Sequence, residues 1–411
     1  MQPSTSPARS PHPGSWQDRP AAQQPDWRDH PDHSEAVRWL ASAPALVTAA
    51  EVRRLRHTLA GLTATDELLL QLGDCAESFY ECAPRHVTGK LRLIDRLADR
   101  LHELTGRSVV RVGRMGGQFA KPRSRETEEH GGVTVPSFRG HMINSEPAGP
   151  VSRRADPRRM VWAYEASAGV QHVMREYRRT RGDGTGDTTM ADGPWSSHEA
   201  LVLDYESRLI RRDPETGDPY LASTHLPWIG ERTRGPDDAH VALLSRVANP
   251  VGCKLGPTAD PDDVLRVCDT LDPRREPGRL VLIPRMGHDR IRQALPPIVR
   301  RVADAGHPVI WLNDPMHGNT VRSSLGLKTR HLTAMITEAL RFRDIVEEHG
   351  RRPSGLHLEV AVDDVTECVG GPVRDEDELR RRYTSLCDPR LNPDQATELI
   401  EAWAKGTATT R

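Results

Sequence analysis

The sequence predicts an α/β chain folded as a (β/α)8 TIM barrel. Three observations carry this. Short apolar runs recur along the chain, stretches of helical period separate most of them, and the runs reach eight. Alternating buried strands and amphipathic helices imply a parallel sheet. Eight strands favour a closed barrel over an open doubly wound sheet. The 411 residues suit one such barrel, or two or three smaller domains.

Residues 1–33 are rich in Pro, Ser, Gln, His, Arg and Asp without apolar periodicity, and are expected to be a disordered tail. Ser34 is a plausible cap for a helix carrying Ala36, Val37, Leu40 and Ala43, which Pro44 should end. A second helix is expected over 50–60. Together they form a helical extension over 34–64, ahead of a barrel over 65–390. The strand runs are Leu68–Leu72, Val109–Val112, Leu226–Ile229, Val251–Leu255, Leu280–Ile283, Val309–Leu312, Leu356–Val360 and, less clearly, Tyr383–Leu386. Helical intervals fall at 85–104, 157–178, 237–248, 260–270, 289–305, 330–349 and 375–382. The glycines of 181–196 suggest a flexible loop, and 212–221 a hairpin tip. Asn392-Pro393 should cap a C-terminal helix over 391–411.

Charge excludes some functions. With 57 basic and 58 acidic residues the net charge is −1, which argues against a nucleic-acid coat or a basic membrane face. No run approaches the roughly 18 apolar residues of a spanning helix, and the start lacks a signal-peptide core. A cytoplasmic protein is expected. None of the six cysteines forms a C-x-x-C pair, so most read as buried thiols, with one or more a candidate ligand or nucleophile. Only five of the 57 basic residues are lysines: Lys90, Lys121, Lys254, Lys328 and Lys405. A retained Lys in so Arg-biased a chain hints at a place for a compact point charge.

Barrels of this kind gather catalytic groups at the carboxyl ends of their strands. Four such ends supply Cys75, His317, Glu359 and Asp388, whose mixed S, N and O donors suit a divalent metal such as Mn, Co, Fe or Zn. Others supply Arg114, Lys121, Arg123, Arg232, Lys254 and Arg285. So many cations at one mouth would repel one another unless a multiply charged anion binds there. A metal beside an anion clamp points to a phosphorylated substrate and Lewis-acid chemistry at a carbonyl. Each residue has a blander reading. Cys75 alone could be a small core residue, His317 a turn histidine, Asp388 a turn initiator before Pro389, and any arginine a solvated charge. Glu359 in an apolar strand is harder to dismiss, because a buried carboxylate needs a partner. Gly113–Gln118 lacks the ending and spacing of a nucleotide loop.

At these residues the chain resembles the type II (plant-like) 3-deoxy-D-arabino-heptulosonate 7-phosphate (DAHP) synthases. The resemblance runs in order over residues 65–392. It is carried by Gln-Leu-Gly-Asp-Cys-Ala-Glu (71–77), Gly-Gln-Phe-Ala-Lys-Pro-Arg-Ser (117–124), Ser-Ser-His-Glu-Ala-Leu (196–201), Trp-Ile-Gly-Glu-Arg-Thr-Arg (228–234), Asn-Pro-Val-Gly-Cys-Lys-Leu-Gly-Pro (249–257), Asp-Pro-Met-His-Gly-Asn-Thr (314–320) and Cys-Asp-Pro-Arg-Leu-Asn (387–392). It implies a TIM barrel and a metal held by Cys75, His317, Glu359 and Asp388, with Mn or Co favoured. It places a phosphoenolpyruvate clamp on Arg114, Lys121, Glu231, Arg232, Lys254 and Arg285. Arg123 and Ser124, with Lys328, would hold erythrose 4-phosphate. Lys121, Glu231 and His317 are the implied catalytic groups, Glu231 either handling water or anchoring Arg232. The implied reaction is condensation of the two substrates to DAHP and phosphate, by a homo-oligomer expected to be a dimer.

The chain departs from the family in three ways. The interval from Asn144 to Ser196 is short, as if a helix pair that shapes an aromatic amino-acid site were missing, so weak or absent inhibition by tryptophan and phenylalanine is expected. His141 follows Arg139-Gly140 where the family commonly has Asp, which bears on acceptor recognition. The Pro-rich start does not resemble a plastid transit peptide in length. These departures suggest an enzyme of specialised metabolism. A 4-amino acceptor giving amino-DAHP, a non-catalytic barrel subunit and another metal-dependent aldolase or hydrolase are the other readings.

Overall fold

Eight short runs, nearly all buried along their length, form the strands: β1 Leu68–Gly73, β2 Val109–Arg114, β3 Trp195–Glu199, β4 Leu226–Ile229, β5 Val251–Leu255, β6 Leu280–Pro284, β7 Ile310–Asn313 and β8 Pro353–Glu359. The computed structural model describes residues 15–182 and 193–407. Each strand pairs in parallel with its sequence neighbours, and β8 closes on β1 with Leu70 opposite Leu356, giving the expected barrel.

The helices are α1 His33–Ser42, α2 Ala49–Ala64, α3 Pro84–Thr105, α4 Arg158–Gly182, α5 Leu203–Arg208, α6 Ala239–Leu244, α7 Pro261–Leu271, α8 Ile291–Asp304, α9 Leu332–Glu348 and α10 Pro393–Thr407. α2 starts where a capping box says it should: Thr48 accepts from the Glu51 N–H, and Glu51 accepts from the Thr48 N–H. Its Leu55, Leu59 and Leu62 pack with Leu69, Trp195, Leu226, Val281 and Ile310, all near the strand starts. α2 therefore closes that end of the barrel, and the opposite, carboxyl end is left for chemistry. Among the described residues no helix is long and apolar enough to cross a membrane.

Three expectations change. Tyr383–Leu386 forms no strand, and the strand missing from the sequence reading is β3. β3 hides because Trp-Ser-Ser-His-Glu has one apolar side chain; its buried polar groups bond instead, Ser197 Oγ to Gly113 O at 2.9 Å and His198 to Glu206 at 2.8 Å. Of the loop expected over 181–196, residues 183–192 lie outside the described residues, and 195–196 already belong to β3. The interval 375–382 is a 3-10 helix, Glu376–Arg381, and the tip at 212–221 is a hairpin of Ile210–Arg212 with Pro219–Leu221.

Part of the segment that composition assigns to a tail is packed on the barrel. Residues 1–14 lie outside the described residues, but 15–32 lie against the barrel. Trp27 is 2 % exposed, and its indole N–H donates to Asp204 at 3.0 Å. One large side chain with a satisfied polar tip anchors a segment that polar composition alone assigns to solvent.

Candidate active site

Cys75 lies two residues beyond β1, His317 follows β7, Glu359 ends β8, and Asp388 sits in the loop before α10. These distant residues meet. One donor atom each of Cys75, Glu359 and Asp388 lies within 4.8 Å of the others. His317 Nε2 stands 3.1 Å from Glu359 Oε1. Lys121 Nζ touches all four, at 2.9 Å from Cys75 Sγ, 3.0 Å from Asp388 Oδ2, 3.2 Å from Glu359 Oε1 and 3.3 Å from His317 Nε2. A thiol, an imidazole and two carboxylates around one point already occupied by positive charge fit a divalent transition ion.

The surrounding groups hold these side chains. Asp314 takes His317 Nδ1 at 2.7 Å, which turns Nε2 toward the cluster. Glu359 accepts from Arg114 at 2.9 Å and from Arg330 at 2.8 Å. Asp74, beside Cys75, pairs with Lys90 at 2.6 Å and with Arg390 at 2.8 Å. Arg390 also grips Glu367 at 2.9 Å, so one guanidinium ties the Cys75 loop to the Asp388 loop.

Next to the cluster opens a cleft of about 310 Å³. Its walls carry Lys121, Arg123, Arg232, Lys254, Arg285 and Lys328, with Ser124, His317 and Asp388. Arg114 is fully buried behind them, its guanidinium 5.0 Å from the Trp228 ring. Arg285 donates to the His317 carbonyl at 2.6 Å, and Lys328 to Asp388 at 2.7 Å, so the cations of the cleft touch two members of the cluster directly. Glu231 lines the cleft, but its carboxylate accepts 2.9 and 3.0 Å bonds from Arg234 rather than anchoring Arg232.

Sequence reading missed Glu199, the last residue of β3. It lines the same cleft, is buried, and its Oε1 has no hydrogen-bond partner. The motif Ser-Ser-His-Glu was the available signal, but with β3 unseen Glu199 had no strand end to sit on. His141 goes elsewhere. It lines a neighbouring cavity of about 260 Å³ with Cys75, Glu146 and Cys387, not the cationic cleft.

Burial penalises every charge here, and the neighbours decide which survive. It would raise the Glu359 pKa, but His317, Lys121, Arg330 and Arg114 hold it well below the ordinary value. Burial lowers Lys254 to about 8, the Asp314 carboxylate opposing it. Burial raises Glu199 above the usual carboxylate range although Lys254, Lys121 and Arg114 pull it down.

A family model described as the class-II DAHP synthetase family matches residues 11–185 and 180–404. The chain is 45 % identical over 385 residues to a probable phospho-2-dehydro-3-deoxyheptonate aldolase of Pseudomonas fluorescens, covering 93 % of this chain and 94 % of that one. It is 39 % identical over 428 residues to a phospho-2-dehydro-3-deoxyheptonate aldolase of Streptomyces coelicolor, covering 94 % and 95 %. Among solved structures, a phospho-2-dehydro-3-deoxyheptonate aldolase from Francisella tularensis superposes with a TM-score of 0.52 at 13 % identity, covering 92 % of this chain and 97 % of that one, a likeness of fold alone.

Proposed function

The chain belongs to the class-II DAHP synthetase family, and from that premise we propose that its cationic cleft binds phosphoenolpyruvate and erythrose 4-phosphate beside a divalent ion held by Cys75, His317, Glu359 and Asp388. The family's reaction is the first step of the shikimate pathway, and the chain is an enzyme of this kind. The observation that carries the site assignment is the meeting of those four side chains beside a cleft lined by six cations, with His317 and Asp388 in its wall.

The residues divide the work by charge. Arg114, Lys121, Arg232, Lys254 and Arg285 hold the carboxylate and phosphate of phosphoenolpyruvate, with Glu231 keeping Arg234 in place behind them. Arg123, Ser124 and Lys328, which line the same cleft, hold the phosphate of the acceptor. This fixes the enol carbon against the aldehyde and converts a bimolecular encounter into a positioned one. A divalent ion, with Mn or Co favoured and Fe or Zn compatible with the donors, supplies Lewis-acid polarisation of the aldehyde. The enol carbon C3 bonds to the aldehyde carbon, water adds at C2, and phosphate leaves with the bridging oxygen. Glu199 is the better placed carboxylate to take the proton of that water, because its Oε1 is unpartnered and its affinity for protons is raised by burial, whereas both oxygens of Glu231 are engaged. The setting that goes with this reading is a cytoplasmic homodimer.

The test follows phosphoenolpyruvate absorbance with erythrose 4-phosphate, beside a parallel reaction with the 4-amino acceptor. Consumption with erythrose 4-phosphate, with release of phosphate, is expected. Consumption with the amino acceptor alone would move the enzyme to amino-DAHP synthesis.

A further inference from the structure

The segment before α1 reaches the substrate cleft. Gln23 Oε1 accepts the backbone N–H of Arg123 at 2.9 Å. The carbonyls of Gln23 and Gln24 accept from the Arg139 guanidinium. Arg139 in turn gives its own carbonyl to the Lys121 N–H at 2.9 Å. So 121–123, a stretch that lines the cleft at each residue, is gripped from behind through Gln23 directly and through Arg139.

The grip is built. Gln24 clips onto the turn between β3 and α5: its Nε2 donates to Leu201 O at 2.8 Å, and its Oε1 accepts from Leu203 N at 3.0 Å. Trp27 is anchored to Asp204. Directly before these fixed points Gln23 takes φ +62°, a left-handed conformation that a residue with a side chain seldom adopts. An unfavourable conformation persists where its surroundings over-determine it, and here it aims the amide of Gln23 at the Arg123 backbone.

We propose that Gln23 is a positioning residue for the acceptor: its side-chain amide fixes the backbone of Arg123, and through it the Arg123–Ser124 half of the cleft, so this side chain sets affinity for the phosphorylated aldehyde and not for phosphoenolpyruvate. This rests on the assignment of Arg123 and Ser124 to the acceptor phosphate made above. Arg123 supports the same logic. Its guanidinium is tied to Phe138 O at 2.8 Å and to Glu128 at 2.9 Å, so with its backbone N–H held by Gln23 the residue is fixed at both ends.

The full-length enzyme is tested as Gln23→Gly, which suits a positive φ and removes the amide, as Gln23→Met, which keeps the length, and as Gln23→Glu, which keeps an acceptor oxygen. Misplacement of about 1 Å costs up to about 100-fold, so a rise of about 10-fold in KM for erythrose 4-phosphate is expected for Gly and Met. KM for phosphoenolpyruvate, cobalt affinity and Tm should stay near native, and Gln23→Glu should recover most of the acceptor affinity. An unchanged acceptor KM in the Gly variant overturns the proposal. So does a loss spread equally over both substrates with a lowered Tm, or a Glu variant as impaired as Gly. If the native enzyme fails to consume erythrose 4-phosphate at all, the functional assignment has failed instead.

Discussion

Lys254 illustrates how one side chain sets a working range. Burial brings its pKa down to about 8, so it is cationic below that value and loses its charge as pH rises through it. Because kcat/KM reports groups of the free enzyme, kcat/KM for phosphoenolpyruvate should fall on the alkaline side with an apparent pKa near that value. A pH profile flat to well above it would remove Lys254 from the anion clamp. Arg285 offers a sharper division. It contacts the cleft and the His317 carbonyl, so Arg285→Ala should raise KM for phosphoenolpyruvate about 10- to 100-fold by loss of charged hydrogen bonds, and the acceptor KM far less. The reverse pattern would mean that the two halves of the cleft are exchanged. At this scale the sequence was legible where a residue type is costly to bury without a partner: Glu359 announced itself in an apolar strand. Glu199 did not, since its neighbours Ser196, Ser197 and His198 are polar and disguise the strand that buries it.

Elements were legible in proportion to how apolar they are. β1, β5 and β6 are unbroken apolar or nearly apolar runs, and their expected bounds differ from those observed by a residue at most. β3 was missed because polar side chains line a barrel position when they find partners across the sheet, as Gln71 does with Ser197 at 2.9 Å. The segment 15–32 was misjudged for the complementary reason. Trp16, Trp27 and two glutamines anchor it, too few and too scattered to register as periodicity. α2 makes the most testable element. Leu59 is wholly buried against the strand starts, far from the cleft, so Leu59→Ala should cost about 2–5 kcal/mol of stability and leave both KM values near native. Denaturant unfolding of the variant beside steady-state kinetics measures both. An altered KM at native stability would mean that the closed end of the barrel communicates with the open one.

Across the whole molecule, the fold separates two tasks. One end is sealed by apolar packing, and the other gathers buried charges of both signs. The interval from Asn144 to Ser196 is short, and its described helix is α4. Tryptophan and phenylalanine should therefore leave the rate within about two-fold, less than the roughly 5- to 150-fold of typical allosteric coupling. Strong inhibition by either at low concentration would contradict this. The central claim is that one thiol, one imidazole and two carboxylates, from the ends of β1, β7 and β8 and from the loop before α10, hold a single divalent ion. Titrating metal-free protein with cobalt(II) while recording its absorbance tests this most directly. The account expects one ion per chain and a thiolate-to-cobalt charge-transfer band that Cys75→Ala abolishes while the protein stays folded. No such band, or one that persists in Cys75→Ala, would contradict it.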